Sequence, residues 1–262
     1  MTTFETLKID VDARGVATLV LSRPDKHNAL NAPMIAELTQ AAKMLGQDAQ
    51  TRVVVLKGAG KSFRAGGDLG WMQDQMAADP ETRGTEAGKL AYMLQALNVM
   101  EKPLIGALHG NTFGGGVGMA SVCDVAIGAD HIKMGLTEVR LGLIPATIGP
   151  YVIARMGEAR ARRVFFSGRV FDAAEGMALG VLARVVPADA LDEAVEAEVA
   201  PYLSAAPGAV AAAKSLTRQL GPVIDTQTIE ATIAALKNQW ETEEAATGIS
   251  AFFAKQKAPW MP

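Results

Sequence analysis

Apolar residues in the first half of the chain fall into short runs of strand length separated by longer stretches with helical spacing. The runs at 16–21, 53–58 and 103–108 are rich in Val, Leu and Ile and are bounded by Gly, Pro or polar residues, which predicts buried strands. Asn31 precedes Ala-Pro and apolar positions at helical spacing, and this predicts an N-cap and a helix to about Leu45. Strands that alternate with helices indicate an α/β core with crossover connections.

The same alternation continues and then gives way to helices. We predict a helix over 89–100 before the strand at 103–108, and a helix from about Gly116 before a strand at 122–127. From Asp172 the pattern becomes helical, with Asp172 and Glu175 forming a capping pair. The predicted helices of this part span 173–179, 190–199, 207–219 and 228–247.

Composition excludes several classes of protein. The 262 residues are 49% hydrophobic with a net charge of −3, which suits one large domain plus an appendage. Only three tyrosines and no basic stripe argue against nucleic-acid binding. The N-terminus lacks a signal peptide and no run approaches 18 apolar residues, so we expect a soluble, cytoplasmic protein without membrane contact.

Potential metal ligands and thiols give no sign of a site. The single cysteine, Cys123, excludes an intramolecular disulfide and lies in an apolar stretch, which predicts a buried structural thiol. His27, His109 and His131 lack the spacing of metal ligands, so no metal is predicted.

Two glycine-rich segments and a carboxylate carry the chemistry. They are residues 63–69 (FRAGGDL), residues 110–118 (GNTFGGGVG) and Glu138 in GLTEVRLGLIP. Glycines let a backbone approach a ligand closely, and a loop that enters a helix presents bare N–H groups where the dipole favours negative charge. A carbonyl oxygen that gains negative charge in a reaction fits such a place.

These motifs occur in the order typical of the enoyl-CoA hydratase/isomerase, or crotonase, family, which the chain resembles over nearly its whole length. The resemblance rests on the two glycine-rich segments, Glu138 with Pro145, Arg23-Pro24 with NALN at 28–31, Cys123-Asp124, and GISAFFAKQK at 248–257. It implies an α/β fold, a ClpP-like spiral of ββα units over 1–200, and a C-terminal helical oligomerisation region over 201–262. It further implies an acyl-CoA thioester substrate, a homotrimer or homohexamer, and no cofactor besides the coenzyme A of the substrate.

By this resemblance, the backbone N–H groups of Ala65 and Gly115 form an oxyanion hole for an enolate-like state. The side chains at these positions matter mainly by being small. Glu138 corresponds to the carboxyl that moves a proton beside the thioester. A carboxyl in an apolar pocket binds its proton more tightly, and this suits acid–base catalysis.

The chain departs from the family pattern at Gly118, where hydratases with two catalytic glutamates place the first of them. A single carboxyl favours an isomerase that carries a proton between two carbons. Residues 113–120 and 143–153, however, resemble bacterial methylglutaconyl-CoA hydratase-like members, which also have glycine there and take branched or carboxylated substrates. Gly118 is expected to leave room for a C3 branch or a carboxylate, so hydration is favoured over isomerisation. A non-catalytic acyl-CoA-binding protein is a third interpretation.

Charged residues near the motifs are candidate substrate contacts. Arg23, Lys26 and Asn28 either contact the nucleotide end of coenzyme A or stabilise a capped loop. Arg64 either meets a phosphate or substrate carboxylate or is a solvated arginine at a strand end, and we favour the solvated arginine. Asp68 is expected to cap the following helix.

Three further candidates lie in the turn and in the C-terminal region. Gly67 is predicted to contact the substrate, like other residues of the segment 63–69. Phe252 and Lys255 match family positions that contact coenzyme A across a subunit boundary, where the cation favours phosphate and the ring can cover adenine. Residues 71–89 are either a mobile wall of the acyl pocket or a plain helix and loop.

Overall fold

The structure is a computed structural model that describes residues 3–262, apart from the side chain of Ala65. The expectation that the Ala65 side chain matters by being small therefore lies outside the described residues, as do the first two residues of the N-terminus. The described strands are β1 (Leu7–Val11), β2 (Val16–Leu21), β3 (Val53–Gly58), β4 (Arg64–Ala65), β5 (Leu104–Leu108), β6 (Thr112–Phe113), β7 (Val125–Ala129), β8 (Lys133–Gly135), β9 (Val170–Asp172) and β10 (Arg184–Val186). The α-helices are α1 (Ala32–Gln47), α2 (Leu69–Ala77), α3 (Pro80–Val99), α4 (Gly115–Val122), α5 (Gly149–Met156), α6 (Glu158–Phe165), α7 (Ala173–Ala178), α8 (Leu191–Leu203), α9 (Pro207–Leu220), α10 (Thr226–Trp240) and α11 (Glu243–Phe253).

The strands form two sheets that the chain visits in turn. The six-stranded sheet has the order β1-β2-β3-β5-β7-β10, with β1 antiparallel to β2 and the other neighbours parallel. The four-stranded sheet has the order β4-β6-β8-β9, and its first three strands are parallel. A strand of the first sheet, a short strand of the second and a helical segment follow one another in β3-β4-α2, β5-β6-α4 and β7-β8-α5. The expected α/β spiral of ββα units is confirmed.

The larger sheet is covered on both faces, which explains why its strands are apolar without alternation. In β3, Val54 and Leu56 pack into the core that includes α1 and α3. Val53 and Val55 point to the other face and pack with residues of α8. Successive side chains of one strand thus supply two hydrophobic cores.

Several helix ends follow the predicted capping chemistry. The Asn31 side chain accepts from Met34 N at 3.1 Å and begins α1. Asp172 Oδ1 accepts from Glu175 N at 2.9 Å and begins α7, whereas the Glu175 carboxylate pairs with Arg169 instead of returning to the cap.

Several predicted boundaries are wrong. The helix predicted over 89–100 begins at Pro80, and the helix predicted over 190–199 continues to Leu203. The strand at 122–127 begins only at Val125, because Val122 still belongs to α4. The predicted helix over 228–247 is two helices, since the Thr242 side chain accepts from Ala245 N at 3.2 Å and starts α11. Local capping by one threonine outweighs a helical pattern that continues through it.

Residues 71–89 form most of α2 and the first half of α3, with a break at Ala78 and Asp79. The Asp79 side chain accepts from Thr82 N at 2.8 Å and restarts the helix. A mobile wall at this place stays a prediction. Of the helices that the structure describes, none is long and apolar enough to span a membrane.

Candidate active site

The candidate site lies where three parallel strands of the smaller sheet end. β4 pairs with β6 and β6 pairs with β8, all in the same direction. The carboxyl ends of parallel strands meet at one edge of a sheet. The segments that follow these strands, 66–68, 114–116 and 136–138, are therefore brought together although they are far apart in sequence.

Gly114 connects two of these segments. Its N–H donates to Gly135 O at 2.8 Å, and its φ of 52° is one that favours glycine. A Cβ at Gly114 would lie 3.0 Å from Glu138 Oε1. Glycine at this position allows both the turn into α4 and the close approach of the Glu138 carboxyl.

The helix α4 begins at Gly115. The N–H groups of Gly115 and Gly116 lie in its first turn, where no residue of the same helix can accept from them. The helix dipole adds partial positive charge at this end. The sequence prediction of bare donors at a helix entrance agrees with this arrangement.

Glu138 opens a short 3-10 helix that ends at Leu141. Its Oε2 is buried and has no hydrogen-bond partner among the described residues. Burial raises the pKa of Glu138 from 4.5 to about 7, while its own backbone N–H and the charge of Arg64 act in the opposite direction. A carboxyl with this pKa can both take and release a proton near neutral pH.

Arg64 is buried and not solvated, so the favoured sequence interpretation is wrong. Only 3% of the residue is exposed, and Nη1 donates to Phe113 O at 3.2 Å. A Cβ at Gly115 would lie 2.5 Å from Nη1 and 3.0 Å from Cζ. The missing side chain at Gly115 provides the space that the guanidinium occupies.

Arg64 remains a cation in this place. Burial lowers the pKa of Arg64 to about 10, and the charge of Glu138 opposes that shift. Its Nε is buried without a partner among the described residues. Arg64 thus lies beside Gly115 and Glu138 beside the neighbouring Gly114, and each has a buried polar atom without a partner among the described residues.

The expectation that Gly118 leaves room for a branch or a carboxylate is also wrong. A Cβ at Gly118 would lie 2.5 Å from Ile148 Cγ2 and 2.9 Å from Ile148 Cβ. Ile148 is 2% exposed and belongs to the main core. The space beside Gly118 is thus occupied by the apolar side chain of Ile148.

The loop after β2, residues 22–31, is bonded to the segment 63–68 that contributes to the site. Arg23 pairs with Asp68 at 2.9 Å and donates to Ala29 O at 2.6 Å. Asp68 accepts from Trp71 N at 3.1 Å, which confirms it as the cap of α2. Asn28 is fully buried, and its Nδ2 donates to Phe63 O at 3.2 Å.

Because the amide of Asn28 is buried and bonded inside the protein, the capped-loop interpretation is favoured for Asn28. Arg23 has internal partners too, and its contact with coenzyme A stays a prediction. Asn28 holds the backbone just before Arg64 through Ala59 O and Ser62 O as well. Lys26 is exposed.

The other predicted residues lie apart or stay untested. Phe252 and Lys255 are exposed at and beyond the end of α11. The nearest neighbour of a Cβ at Gly67 would be Met72 Sδ, at 3.3 Å. Cys123 is fully buried as predicted, and burial raises its thiol pKa to about 12.

Two features of the site had no sequence signal. The contact of Arg64 with Gly115 and that of Ile148 with Gly118 both join segments that are distant in the chain. Two surface cavities, of 970 and 680 Å³, are lined mainly by residues of α3, α5, α9 and α10, and neither Glu138 nor Gly115 lines them.

Comparison with known proteins agrees with the fold. The sequence model of the family described as enoyl-CoA hydratase/isomerase matches residues 12–262. A probable enoyl-CoA hydratase of Rhizobium meliloti is 34% identical over 97% of both chains. A probable enoyl-CoA hydratase of Mycobacterium bovis is 38% identical over 72% of both chains. The crystal structure of an enoyl-CoA hydratase from Shewanella pealeana has a TM-score of 0.81 at 36% identity, covering 98% of this chain and 96% of that one.

The fold and the site thus define an enzyme of the crotonase class. The chain belongs to the enoyl-CoA hydratase/isomerase family.

Proposed function

We propose that this protein adds water across the 2,3 double bond of an enoyl-CoA thioester. The observation that carries the proposal is the buried, unpartnered carboxyl of Glu138 beside the first turn of α4. Membership of the family and the names of its relatives support the same reaction.

In this reaction the thioester oxygen accepts from the N–H of Gly115 and from that of Ala65. Gly115 lies at the start of α4, and Ala65 pairs with Phe113 at the end of β4. Donors placed where negative charge develops stabilise an enolate more than the thioester itself. Ala65 remains a donor by resemblance to the family.

Glu138 serves as base and then as acid. The ionised carboxylate takes a proton from water while the water oxygen bonds to C3, and the electrons of the double bond move to the thioester oxygen. The enolate then re-forms the carbonyl and takes the proton from Glu138 at C2. The sum is one water added, and Glu138 returns to its ionised form.

Both steps are assigned to one carboxyl because residue 118, the position of the second glutamate in the family pattern, is glycine. Ile148 lies where the Cβ of a larger residue at 118 would be. A branched or carboxylated, 3-methylglutaconyl-like acyl chain stays a proposal that rests on the likeness of residues 143–153 to that subgroup. The space at Gly118 no longer supports it.

The remaining contacts and the assembly are also proposals. Lys26, Phe252 and Lys255 are exposed, as contacts with coenzyme A would require. Leu216, Leu220 and Val223 on and after α9 are apolar and at least half exposed, which supports burial of residues 201–262 in a homotrimer or homohexamer. No cofactor is proposed besides the coenzyme A of the substrate.

Isomerisation is the second candidate function. The single carboxyl favours it, because Glu138 alone could carry a proton from C2 to C4 of a 3-enoyl-CoA. A protein that binds acyl-CoA without turnover is the third.

An oxygen-labelling experiment separates the three. In labelled water, purified protein is expected to convert a 2-enoyl-CoA to a product heavier by one water, with labelled oxygen at C3. Isomerisation of a 3-enoyl-CoA without incorporation of oxygen into any 2-enoyl-CoA would replace the hydratase assignment. Tight binding of acyl-CoA without turnover would support the third candidate, a non-catalytic acyl-CoA-binding protein.

The pH dependence of hydration tests the role of Glu138. The base must be ionised to accept the proton of water, and burial raises the pKa of Glu138 to about 7. We therefore expect kcat/KM to fall as the pH drops through about 7, while Arg64, with a pKa of about 10, stays charged. A rate that stays constant down to about pH 5 would contradict Glu138 as the base.

A further inference from the structure

We propose that Arg64 is a further catalytic residue, whose guanidinium stabilises the enolate oxygen together with the Gly115 N–H. The proposal rests on the enolate chemistry of the proposed function. It assigns a role to the Arg64 cation beside the thioester oxygen and leaves the proton transfer to Glu138.

The geometry places the cation at the oxygen site. A Cβ at Gly115 would lie 2.5 Å from Arg64 Nη1 and 3.1 Å from Nη2. Because a Cβ is about 2.5 Å from its own backbone nitrogen, Nη1 is at most about 5 Å from the Gly115 nitrogen. One oxygen can accept hydrogen bonds from two donors at that separation.

The burial of Arg64 needs a compensating negative group. A guanidinium without a close counter-ion is costly to bury, and the positive end of α4 adds to the cost. Nη1 donates to Phe113 O, Nε has no partner among the described residues, and Glu138 acts on Arg64 through its charge and not through a hydrogen bond. Arg64 therefore makes no direct ion pair among the described residues, and its guanidinium can stabilise an anion that binds beside Gly115.

The reaction supplies that anion at the right moment. Before water adds, the negative charge is on Glu138. When Glu138 has taken the proton it is neutral, and the charge is on the thioester oxygen beside Gly115. Arg64 interacts with the charge of Glu138 and lies beside Gly115, so its guanidinium can stabilise the negative charge both before and after it moves to the thioester oxygen.

An alternative role for Arg64 is to bind a carboxylate of the acyl chain. The contact with Gly115 favours the enolate role, because the N–H of Gly115 is proposed to donate to the thioester oxygen. The two roles differ in their substrate dependence, because an enolate forms from every enoyl-CoA.

Acetoacetyl-CoA measures enolate stabilisation without turnover. This β-keto thioester ionises to an enolate that absorbs in the near ultraviolet, so the pH at which the bound ligand ionises can be read directly. Arg64→Met is expected to raise that apparent pKa by about one unit or more, a tenfold loss of enolate stabilisation. Arg64→Lys, which keeps the charge, is expected to lie between methionine and wild type.

Arg155→Met is the matched control. Arg155 donates to Ser121 O at 3.3 Å and Asp124 O at 3.2 Å, at the opposite end of α4. Arg155 is a partly buried residue of α5, and its replacement removes a cation from the C-terminal end of α4 and leaves the residues of the oxygen site in place. We expect the enolate pKa to stay at the wild-type value in Arg155→Met, whatever that variant loses in thermal stability.

Gly115→Ala gives an independent test that keeps the N–H donor. The added Cβ would displace the Arg64 guanidinium, which we expect to lower kcat on crotonyl-CoA about tenfold or more with a smaller change in KM. In an Arg64→Met background the same change should cost much less, because nothing remains to be displaced. Equal losses in both backgrounds would contradict the proposal.

The outcomes separate this proposal from the proposed function. A folded Arg64→Met with an unchanged enolate pKa overturns the role of Arg64 even if hydration is confirmed. A loss confined to substrates with a second carboxylate overturns it in favour of carboxylate binding. A raised enolate pKa in a protein that incorporates no solvent oxygen supports Arg64 and rejects hydration.

Discussion

Replacing Glu138 by glutamine is expected to lower kcat for hydration by roughly 10²–10⁴-fold, the usual worth of a general acid–base group. The amide keeps the shape of the carboxyl that lies over Gly114 but cannot exchange a proton with water or C2. Steady-state kinetics with crotonyl-CoA measure the loss, which should appear in kcat and kcat/KM together.

The folded state should tolerate this change. Burial raises the pKa of Glu138 from 4.5 to about 7, so ionising the wild-type carboxyl costs folding free energy as the pH rises through that range. Above pH 7 the Glu138→Gln variant should therefore unfold at the wild-type temperature or higher. Glu193→Gln, on the exposed side of α8, is the control and should keep full activity. A Glu138→Gln rate within a few-fold of wild type would remove Glu138 from the mechanism.

Gly115→Pro is expected to lower kcat by about 10²–10³-fold, as the loss of one oxyanion donor does. Gly115 is the first residue of α4, a position where proline suits the helix but has no N–H to offer. The pyrrolidine ring would also press on the Arg64 guanidinium, so the loss should exceed that of Gly115→Ala. Circular dichroism and gel filtration establish that the variant is folded before its rate is compared.

A second proline serves as the control for this experiment. Thr226 is the exposed first residue of α10 after its cap, Asp225. Thr226→Pro removes an N–H of the same kind at a helix far from Glu138 in sequence and should leave kcat unchanged. If a folded Gly115→Pro turned over like Thr226→Pro, Gly115 would not be an oxyanion donor.

The parts of the fold that the sequence predicts are those that local physics determines. The caps at Asn31 and Asp172 depend only on neighbouring residues, and the apolar runs of β2 and β3 favour burial in any compact arrangement. The sequence does not predict the break at Thr242, because the apolar helical pattern continues through it. The pattern alone does not show whether the threonine caps a new helix or lies inside one.

The residues of the site likewise fall into those that the sequence predicts and those that it does not. Gly115 and Glu138 belong to motifs whose chemistry can be recognised residue by residue. Arg64 and Ile148 could not be placed, because each owes its position to a glycine in another segment that folding brings next to it. A strand-end arginine is usually solvated, and only the missing side chain at Gly115 makes room for it in the interior.

The contact of Ile148 with Gly118 restricts how this sequence can change over evolutionary time. A glutamate at 118 has no space while Ile148 remains, since even its Cβ would be 2.5 Å from Ile148 Cγ2. Trimming Ile148 to alanine first would leave a cavity in the main core and cost about 2–5 kcal/mol. Each substitution is therefore expected to be unfavourable until the other is present, so this chain could acquire a glutamate at 118 only together with a smaller residue at 148.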